Sequence, residues 1–205
     1  MRQYRGCSRL YYALMTEGSD GSVTYGTPKQ LAPVKSVSRE ISSDNEKVYA
    51  DNVLQQTTFS ATSISRSFDT TRIDPAVVAE LLGDDAINVK TGVNAYATTP
   101  DGSSRPYFAI LYALHDGDPE TPVEVVVAYR CQCESISKAS NTIDDGTGSE
   151  GQTVTITCSA PKNAWTQTGK KNLDLKLPID AENADMVDKF FAEVVTPDNA
   201  SNVLA

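Results

Sequence analysis

His115 is the residue in this sequence best suited to acid–base or nucleophilic chemistry, because it is the one histidine among 205 residues. A serine triad or a histidine-based acid–base pair would have to use it. The sequence has no Gly-x-Ser-x-Gly elbow, and a lone histidine where a strand meets a turn is most often a surface residue. We therefore expect an exposed, non-catalytic His115 in a protein that is not an enzyme.

Three pairs of acidic residues offer oxygen ligands for a cation. None of them follows the spaced Asp-x-Asp-x-Asp-Gly pattern with a distal glutamate that a calcium loop needs, so we expect solvated turn acids. The sequence predicts no bound metal. The pairs are Asp84 with Asp85, Asp116 with Asp118, and Asp144 with Asp145.

The four cysteines are Cys7, Cys131, Cys133 and Cys158. They could form two disulfides, but a chain of this length that folds in the cytoplasm does not need them for stability. On a strand, Cys131 and Cys133 face the same side, about two rises of 3.3 Å apart. That spacing suits neither an unstrained disulfide between them nor a zinc knuckle. We expect buried or half-buried free thiols, and no zinc site using these cysteines or His115.

Residues 146–151, Gly-Thr-Gly-Ser-Glu-Gly, match the dinucleotide fingerprint Gly-x-Gly-x-x-Gly. The fingerprint binds pyrophosphate only when it follows a strand and opens a helix. Here it follows Asp144 and Asp145, contains Glu150 and runs into a predicted strand, so nearby carboxylates would repel the ligand. We predict a surface loop and no cofactor.

Composition and charge exclude several classes of protein. The chain is 40% hydrophobic and 22% charged, which indicates a globular protein. Its net charge is −9, with 9 basic and 7 acidic residues in 1–72 but 9 and 20 in 73–205. Such a surface disfavours tight nonspecific binding of nucleic acid. The apolar runs are too short for a membrane span or a signal peptide, so we expect no membrane binding and folding in the cytoplasm.

The pattern of apolar residues predicts a single, mainly β domain over residues 1–205. Alternating or nearly continuous apolar runs separated by turn residues indicate strands, and the two nearly continuous runs indicate core strands. The predicted strands cover residues 10–16, 23–25, 88–98, 107–114, 123–134, 153–158 and 172–177.

A long extended hairpin is predicted between Val34 and Phe68. Single apolar residues stand there among serines, threonines, glutamines and charges, which is typical of strands wetted on at least one face. A stretch with turn chemistry in the middle predicts a tip that projects from the body. The predicted tip residues are Ser42, Ser43, Asp44, Asn45, Glu46 and Lys47.

Two helices are predicted. The first runs from Asp74 to Leu82, with Asp74 as N-cap, proline at the first helical position and glycine just past the end. The second runs from Asp180 to Val194 and carries one apolar stripe. The stripe consists of Met186, Val187, Phe190, Phe191 and Val194. We expect the stripe to pack into the core and residues 196–205 to form a frayed tail.

The single tryptophan, Trp165, lies in a polar stretch after the strand at 153–158. An interface anchor and a residue of a satellite core are equally consistent with this position.

Nine collinear segments resemble the major tail proteins, or tail tube proteins, of long-tailed phages and prophages of Gram-positive bacteria. Their order and spacing carry the resemblance, since no single segment is diagnostic. One departure is residues 57–72, which are less Gly-rich and less acidic than is usual in the family. The segments are residues 10–17, 25–31, 34–40, 47–52, 77–83, 106–112, 128–131, 153–157 and 189–191.

The resemblance implies a β-sandwich or barrel-like core flanked by a helix, assembled as hexameric rings that stack into a non-contractile tail tube. Neighbouring subunits would join their strands into one β-barrel around a channel that conducts the genome from capsid to host, and the hairpin would contact the next ring. Implied partners are further copies of the chain, the tape-measure protein, the tail terminator and distal tail proteins, with DNA passing through without adhering. The implied location is the virion tail, assembled in the host cytoplasm.

A DNA conduit should not hold phosphates. We therefore expect lumen positions within residues 34–68 to present acids, hydroxyls and amides, with every cation there paired to an acid. The candidate pairs are Arg39 with Glu40 or Asp44, and Lys47 with Glu46. The alternative function is a β-sandwich adhesin that binds a carbohydrate or receptor, which should carry a secretion signal and clustered surface aromatics.

Overall fold

A computed structural model describes residues 3–50, 53–98, 105–139 and 151–205, and for residues 43–46, 48–50, 54 and 57–62 it describes the backbone alone. The fold is mainly β, as predicted. In chain order the strands are β1 (Gly6–Glu17), β2 (Val23–Tyr25), β3 (Lys29–Gln30), β4 (Val34–Ala50), β5 (Val53–Thr70), β6 (Asp85–Lys90), β7 (Val93–Ala97), β8 (Phe108–His115), β9 (Glu124–Lys138), β10 (Gln152–Ser159) and β11 (Asp174–Pro178). The helices are α1 (Pro75–Leu82), α2 (Met186–Ala192) and α3 (Ala200–Val203).

Nine of the strands form one large antiparallel sheet in the order β2-β1-β8-β9-β10-β5-β4, with β3 beside β1 and β11 beside β9, and β6 and β7 form a separate two-stranded sheet. The sheet curls, because β1 and β4 come into contact although no ladder joins them. Strand β9 is shared between two parts of the sheet. Its first half lies between β8 and β11, and its second half pairs with β10.

Strand β8 and the first half of β9 are buried on both faces, which explains their nearly continuous apolar sequences. On one face, Ile110 and Val126 join a cluster that includes α1 and the inward side of β5 and β10. On the other face, Leu111 and Val127 pack with α2 and the C-terminal residues.

The long hairpin is confirmed, but its predicted turn is wrong. Residues Ser42–Lys47 lie inside β4, where each pairs with a residue of β5. The ladder continues to Ala50 and Val53, so the strands are joined through residues 51–52, which lie outside the described residues. Cross-strand pairing therefore overrides the local turn chemistry of Ser, Asp and Asn.

Helix α1 has the predicted boundaries. Asp74 caps it by accepting a hydrogen bond from the backbone N–H of Ala76, and Gly83 ends it in the left-handed conformation, at φ 74°. The second predicted helix is shorter than expected, because residues 181–185 form turns and α2 begins at Met186. Four of the five residues of the predicted stripe are buried, with Phe190 fully covered, whereas Met186 is half-buried and Val194 lies beyond the end of α2.

The tail predicted to fray is folded. Thr196 is buried, Val195 belongs to the core cluster under α2, and residues 200–203 form α3. The single strand expected at residues 88–98 is likewise a hairpin of β6 and β7, which turns at Gly92 with φ 78°. A positive φ of this kind favours glycine.

The expectation of four free thiols is wrong for two cysteines. Cys131 and Cys158 are directly opposite one another on β9 and β10 and form a disulfide. Cys7 and Cys133 are free, as expected. Burial raises the pKa of Cys133 to about 12, which keeps it as the unreactive thiol. The register of β9 against β10 decides which cysteines form the disulfide, because it places two cysteines that are 27 residues apart in sequence opposite one another.

Among the residues that the structure describes, no helix is long and apolar enough to cross a membrane.

Candidate functional site

The outward face of the sheet formed by β4, β5, β10 and the second half of β9 consists mostly of serine and threonine. We call it the hydroxyl face. The strand registers arrange it in four cross-strand rows. The rows are Ser36-Asp69-Thr153-Ser137, Ser38-Ser67-Thr155-Ser135, Glu40-Ser65-Thr157-Gln132 and Ser42-Ser63-Ser159-Arg130.

The hydroxyl face follows from the period of two in a strand. Alternate residues of β5 and β10, such as Phe68, Val154 and Ile156, are fully or almost fully buried in the core. The residues between them therefore point outward, and in this sequence they are small and polar. Serine and threonine on paired strands also bond one another, as Ser67 Oγ and Thr155 Oγ1 do at 3.0 Å.

The acid in the first row is held ionised. Asp69 accepts hydrogen bonds from Ser36 Oγ at 2.6 Å and from Thr153 Oγ1 at 2.7 Å. These bonds lower the pKa of Asp69, burial partly opposes them, and the charge of Lys35 adds a smaller lowering effect. Asp69 therefore contributes a fixed negative charge to the face at neutral pH.

The one cation in the four rows is restrained. Arg130 Nη1 donates to Ser159 Oγ at 2.9 Å, and its guanidinium lies 3.8 Å from the centre of the Tyr107 ring. Its Nη2 lies 3.7 Å from a carboxylate oxygen of Glu17. A further carboxylate joins the face at a β-bulge, where Glu134 accepts a hydrogen bond from Thr157. Acids therefore outnumber cations on the hydroxyl face.

The sheet that carries the hydroxyl face has two open edges. Within the described residues, β4 has no strand paired on its outer side, and β9 beyond Cys131 pairs with β10 alone. Arg105 covers part of the β9 edge, since its Nη1 donates to the carbonyls of Cys133 and Glu134 at 2.9 and 2.6 Å. The edges are formed by different strands, so a contact between one edge of one copy and the other edge of a second copy would be head-to-tail.

The residues predicted to line a lumen are only partly brought together. Glu40 and Ser42 lie on the hydroxyl face. Arg39 does not pair with Glu40, because neighbours on a strand point to opposite faces. It pairs instead with Asp174 at 3.0 Å. For Ser43, Asp44, Asn45 and Glu46 the structure describes the backbone alone, so the predicted pair of Lys47 with Glu46 lies outside what it describes. Lys47 itself is exposed.

Asp174, the partner of Arg39, also forms an ion pair with a buried arginine, Arg66, which the sequence analysis did not predict. Arg66 stands opposite Arg39 across the β4–β5 ladder and is almost fully buried. Its Nη2 donates to Asp174 Oδ2 at 2.6 Å, and its Nη1 lies 3.3 Å from Cys158 Sγ. The sequence signal was available, since Arg66 occupies the inward phase between Ile64 and Phe68.

His115 is buried, not exposed as predicted. Its Nδ1 lies 2.8 Å from the carbonyl oxygen of Asp118, which can only accept, so Nδ1 carries the proton. Its Nε2 lies 2.7 Å from Ser8 Oγ, within hydrogen-bond distance. These bonds tie β1 to the turn after β8.

Trp165 is a core residue. It is 9% exposed, packs 4.9 Å from the ring of Tyr129, and donates from Nε1 to the carbonyl of Asn172 at 3.1 Å.

In the part of the chain that the structure covers, no three or more His, Cys, Asp or Glu side chains are grouped so as to hold a metal ion. The acidic pair 144–145 and residues 146–150 of the glycine motif lie outside the described residues.

Comparison with protein-family models and with curated proteins returns no match. Solved structures do show weak likenesses. The anti-feeding prophage cap (AFP tube terminating cap) aligns with TM-score 0.46 and 10% identity over 87% of this chain and 95% of that chain. A chain of the PVC sheath-tube complex, an extracellular contractile injection system in its extended state, gives 0.43 and 11% over 84% and 90%. A type six secretion system protein gives 0.36 and 9% over 84% and 96%. These values assign the chain neither a family nor a function.

Proposed function

We propose that this chain, as a single domain over residues 1–205, is the structural subunit of a phage tail tube, and that it polymerises as stacked hexameric rings around a channel that conducts the genome from capsid to host. The observation that carries the proposal is the hydroxyl face, which lies on a sheet with two different open edges. The collinear sequence resemblance to tail tube proteins supports the same function.

The two edges account for a ring. Residues 40–46 of β4 in one copy would pair with residues 132–138 of β9 in the next, which extends the sheet from subunit to subunit. Because the contact joins two different surfaces, repeated rotation closes a ring and leaves neither of these two edge segments exposed. The hydroxyl face then becomes the continuous lining of the channel.

The lining suits a sliding polyanion. Serine and threonine offer short, neutral side chains, and the acids Glu40, Asp69 and Glu134 repel phosphates. A conduit that presented six unpaired cations per ring would instead retain DNA through counterion release. Six copies of the net charge of −9 give −54 per ring. At physiological salt the Debye length is about 8 Å, so the field of this charge stays close to the channel wall.

The hairpin accounts for stacking. Strand β10 pairs with β5 only from Ser63 onward, so residues 53–62 extend beyond the sheet with β4 as their described partner. Ten residues at about 3.3 Å each give a projection of about 30 Å. Exposed aliphatic residues on two hairpins, Ile41 and Val53 on β4–β5 and Ile87, Val89 and Val93 on β6–β7, offer surfaces for contact between copies.

This function implies no catalysis, cofactor or metal. In the virion the chain would contact the tape-measure protein, the tail terminator and distal tail proteins at the ends of the tube, after assembly in the host cytoplasm. The adhesin alternative has less support, because Tyr4 is the one large aromatic exposed among the described residues, where a carbohydrate site needs clustered aromatics.

Electron microscopy of the purified protein tests the proposal. We expect tubes, or rings with sixfold end views. Monomers that stay dispersed at high protein concentration and bind glycans would instead support the adhesin.

A matched pair of proline variants, Glu40→Pro and Ile41→Pro, tests the edge contact. Successive N–H groups of an edge strand alternate in direction, so one of the two variants keeps the β5 ladder intact and blocks the outer edge. That variant should keep the wild-type melting temperature and form no rings.

A second variant separates stacking from ring formation. Lys47 and Thr57 are direct partners, so residues 48–56 can be replaced by an Asn-Gly turn, which shortens the projection without changing the register of the residues that form the ring contact. We expect a folded protein that forms single rings but no long tubes. Tubes of normal length from this variant would show that the projection does not act in stacking.

A further inference from the structure

A groove lies between β1 and β4, which approach one another as the sheet curls. The segment that leads into β4 is tied to β1 at one point, where the backbone N–H of Leu31, between β3 and β4, donates to the carbonyl of Leu10 at 2.9 Å. Away from that point no ladder joins them, and a cavity of about 510 Å³ lies between residues 4–7 and residues 35–39. Tyr112, Leu114 and Val126 form its apolar floor.

Both walls of the groove are strand edges. In the described part of the chain, residues 6–8 of β1 pair with β8 alone, and residues 34–39 of β4 pair with β5 alone. Such edges bind extended polypeptide by adding a strand. The volume is in the range of cavities that hold a small molecule or a short peptide stretch.

The rim of the groove is basic in a protein of net charge −9. Arg5, Lys35, Arg39 and Lys176 line it, against one carboxylate, Glu124, which accepts a hydrogen bond from Tyr4 Oη at 2.8 Å. Asp174 neutralises the rim only in part, because its carboxylate pairs with both Arg39 and the buried Arg66.

Two of the rim cations face outward with no acid of their own. Arg5 and Lys176 are exposed, and neither forms an ion pair within the residues that the structure describes. The excess charge therefore calls for an anionic complement.

We propose that this groove binds an extended, acidic segment of another protein, which adds a strand along residues 34–39 of β4 and places carboxylates against Arg5 and Lys176. The surface is distinct from the ring contact proposed above, which uses β4 from residue 40 onward and the edge of β9. The proposal does not require that the chain form a tube.

The test uses the full-length protein and a fluorescent ten-residue peptide of alternating valine and glutamate, with a valine–lysine peptide as control. We expect binding of the acidic peptide alone, weakened by salt, together with slower amide exchange in residues 34–39. Charge reversal at both rim cations, Arg5→Glu with Lys176→Glu, should weaken binding about tenfold or more, because two attractive contacts become repulsive. Lys170→Glu, at an exposed position outside the groove, should leave binding unchanged.

Equal binding of both peptides, no binding of either, or unchanged affinity in a folded double variant would overturn the proposal. Loss of self-assembly in the double variant would also overturn it, because the occupant would then be a second copy of this chain. The proline variants at Glu40 and Ile41 address ring formation separately, so failure here leaves the tube proposal standing.

Discussion

Ser67→Lys is the substitution that tests most directly whether the hydroxyl face lines a channel. Ser67 lies in the row Ser38-Ser67-Thr155-Ser135, which contains no charged residue. Its side chain is half-buried at the outward face of β5 and can be extended into solvent. A lysine there would lose one hydroxyl–hydroxyl bond, to Thr155, at a cost of about 1 kcal/mol, so the protein should still fold and assemble.

The effect on DNA is expected to be large because the proposed ring multiplies it. One added lysine per subunit places six cations around the channel. If each neutralises one phosphate, the logarithm of the DNA affinity falls with that of salt concentration at a slope of about −5.4. Raising the salt from about 50 to about 200 mM should therefore weaken retention about a thousandfold.

The assay measures retention of labelled duplex DNA by assembled tubes across that range of salt. Wild-type tubes should retain none at micromolar concentration, and Ser67→Lys tubes should retain DNA at low salt alone. Ser65→Lys is the matched control, because Glu40 stands directly opposite Ser65 and pairs with the new cation. Ser67→Lys tubes that bind no more DNA than wild type would show that this face does not line the channel.

Three further predictions concern stability. Phe190→Ala should lower the free energy of unfolding by about 3–5 kcal/mol, because the ring is fully buried; an unchanged denaturation midpoint with loss of assembly would mark α2 as an interface. Asp174→Asn should cost about 3–5 kcal/mol because it leaves Arg66 buried without its acid, whereas Arg39→Gln should cost less than about 1 kcal/mol; equal losses in urea denaturation would contradict this. Asp69 has a lowered pKa in the folded state, so its stabilisation is present above its ordinary value of 3.8 and lost as pH falls below it. Ser36→Ala should raise the Asp69 pKa in an NMR titration; an unchanged pKa would show that this bond does not hold the carboxylate ionised.

Local signals predicted the elements whose residues agree with one another. The N-cap Asp74, the proline after it and Gly83 all specify one helix, and α1 has those boundaries. Continuous apolar runs predicted β8 and β9 as core strands, and the stripe of α2 predicted its buried face. The turn predicted at Ser42–Lys47 failed because residues of turn type also form strands when a partner strand supplies the hydrogen bonds.

The candidate site was only partly visible in the sequence. A polar lining with small side chains was predicted for residues 34–68, and β4 and β5 supply half of the hydroxyl face. The other half comes from β9 and β10, more than 60 residues away in sequence, and no local pattern aligns their registers. The partner of Arg39 was missed for the same reason, since Asp174 lies 135 residues away.

The sequence by itself determined the mainly β class, the first helix, the apolar core strands and the excess of acid, because each depends on residue type and on neighbours a few positions apart. Tertiary structure alone decided which side chains meet. Register placed Cys131 opposite Cys158, buried Arg66 under Asp174 and turned His115 inward to Ser8. The physical reason is that a strand specifies only which residues share a face. Which strands lie side by side, and which edges stay open, depends on burying apolar surface across the whole chain.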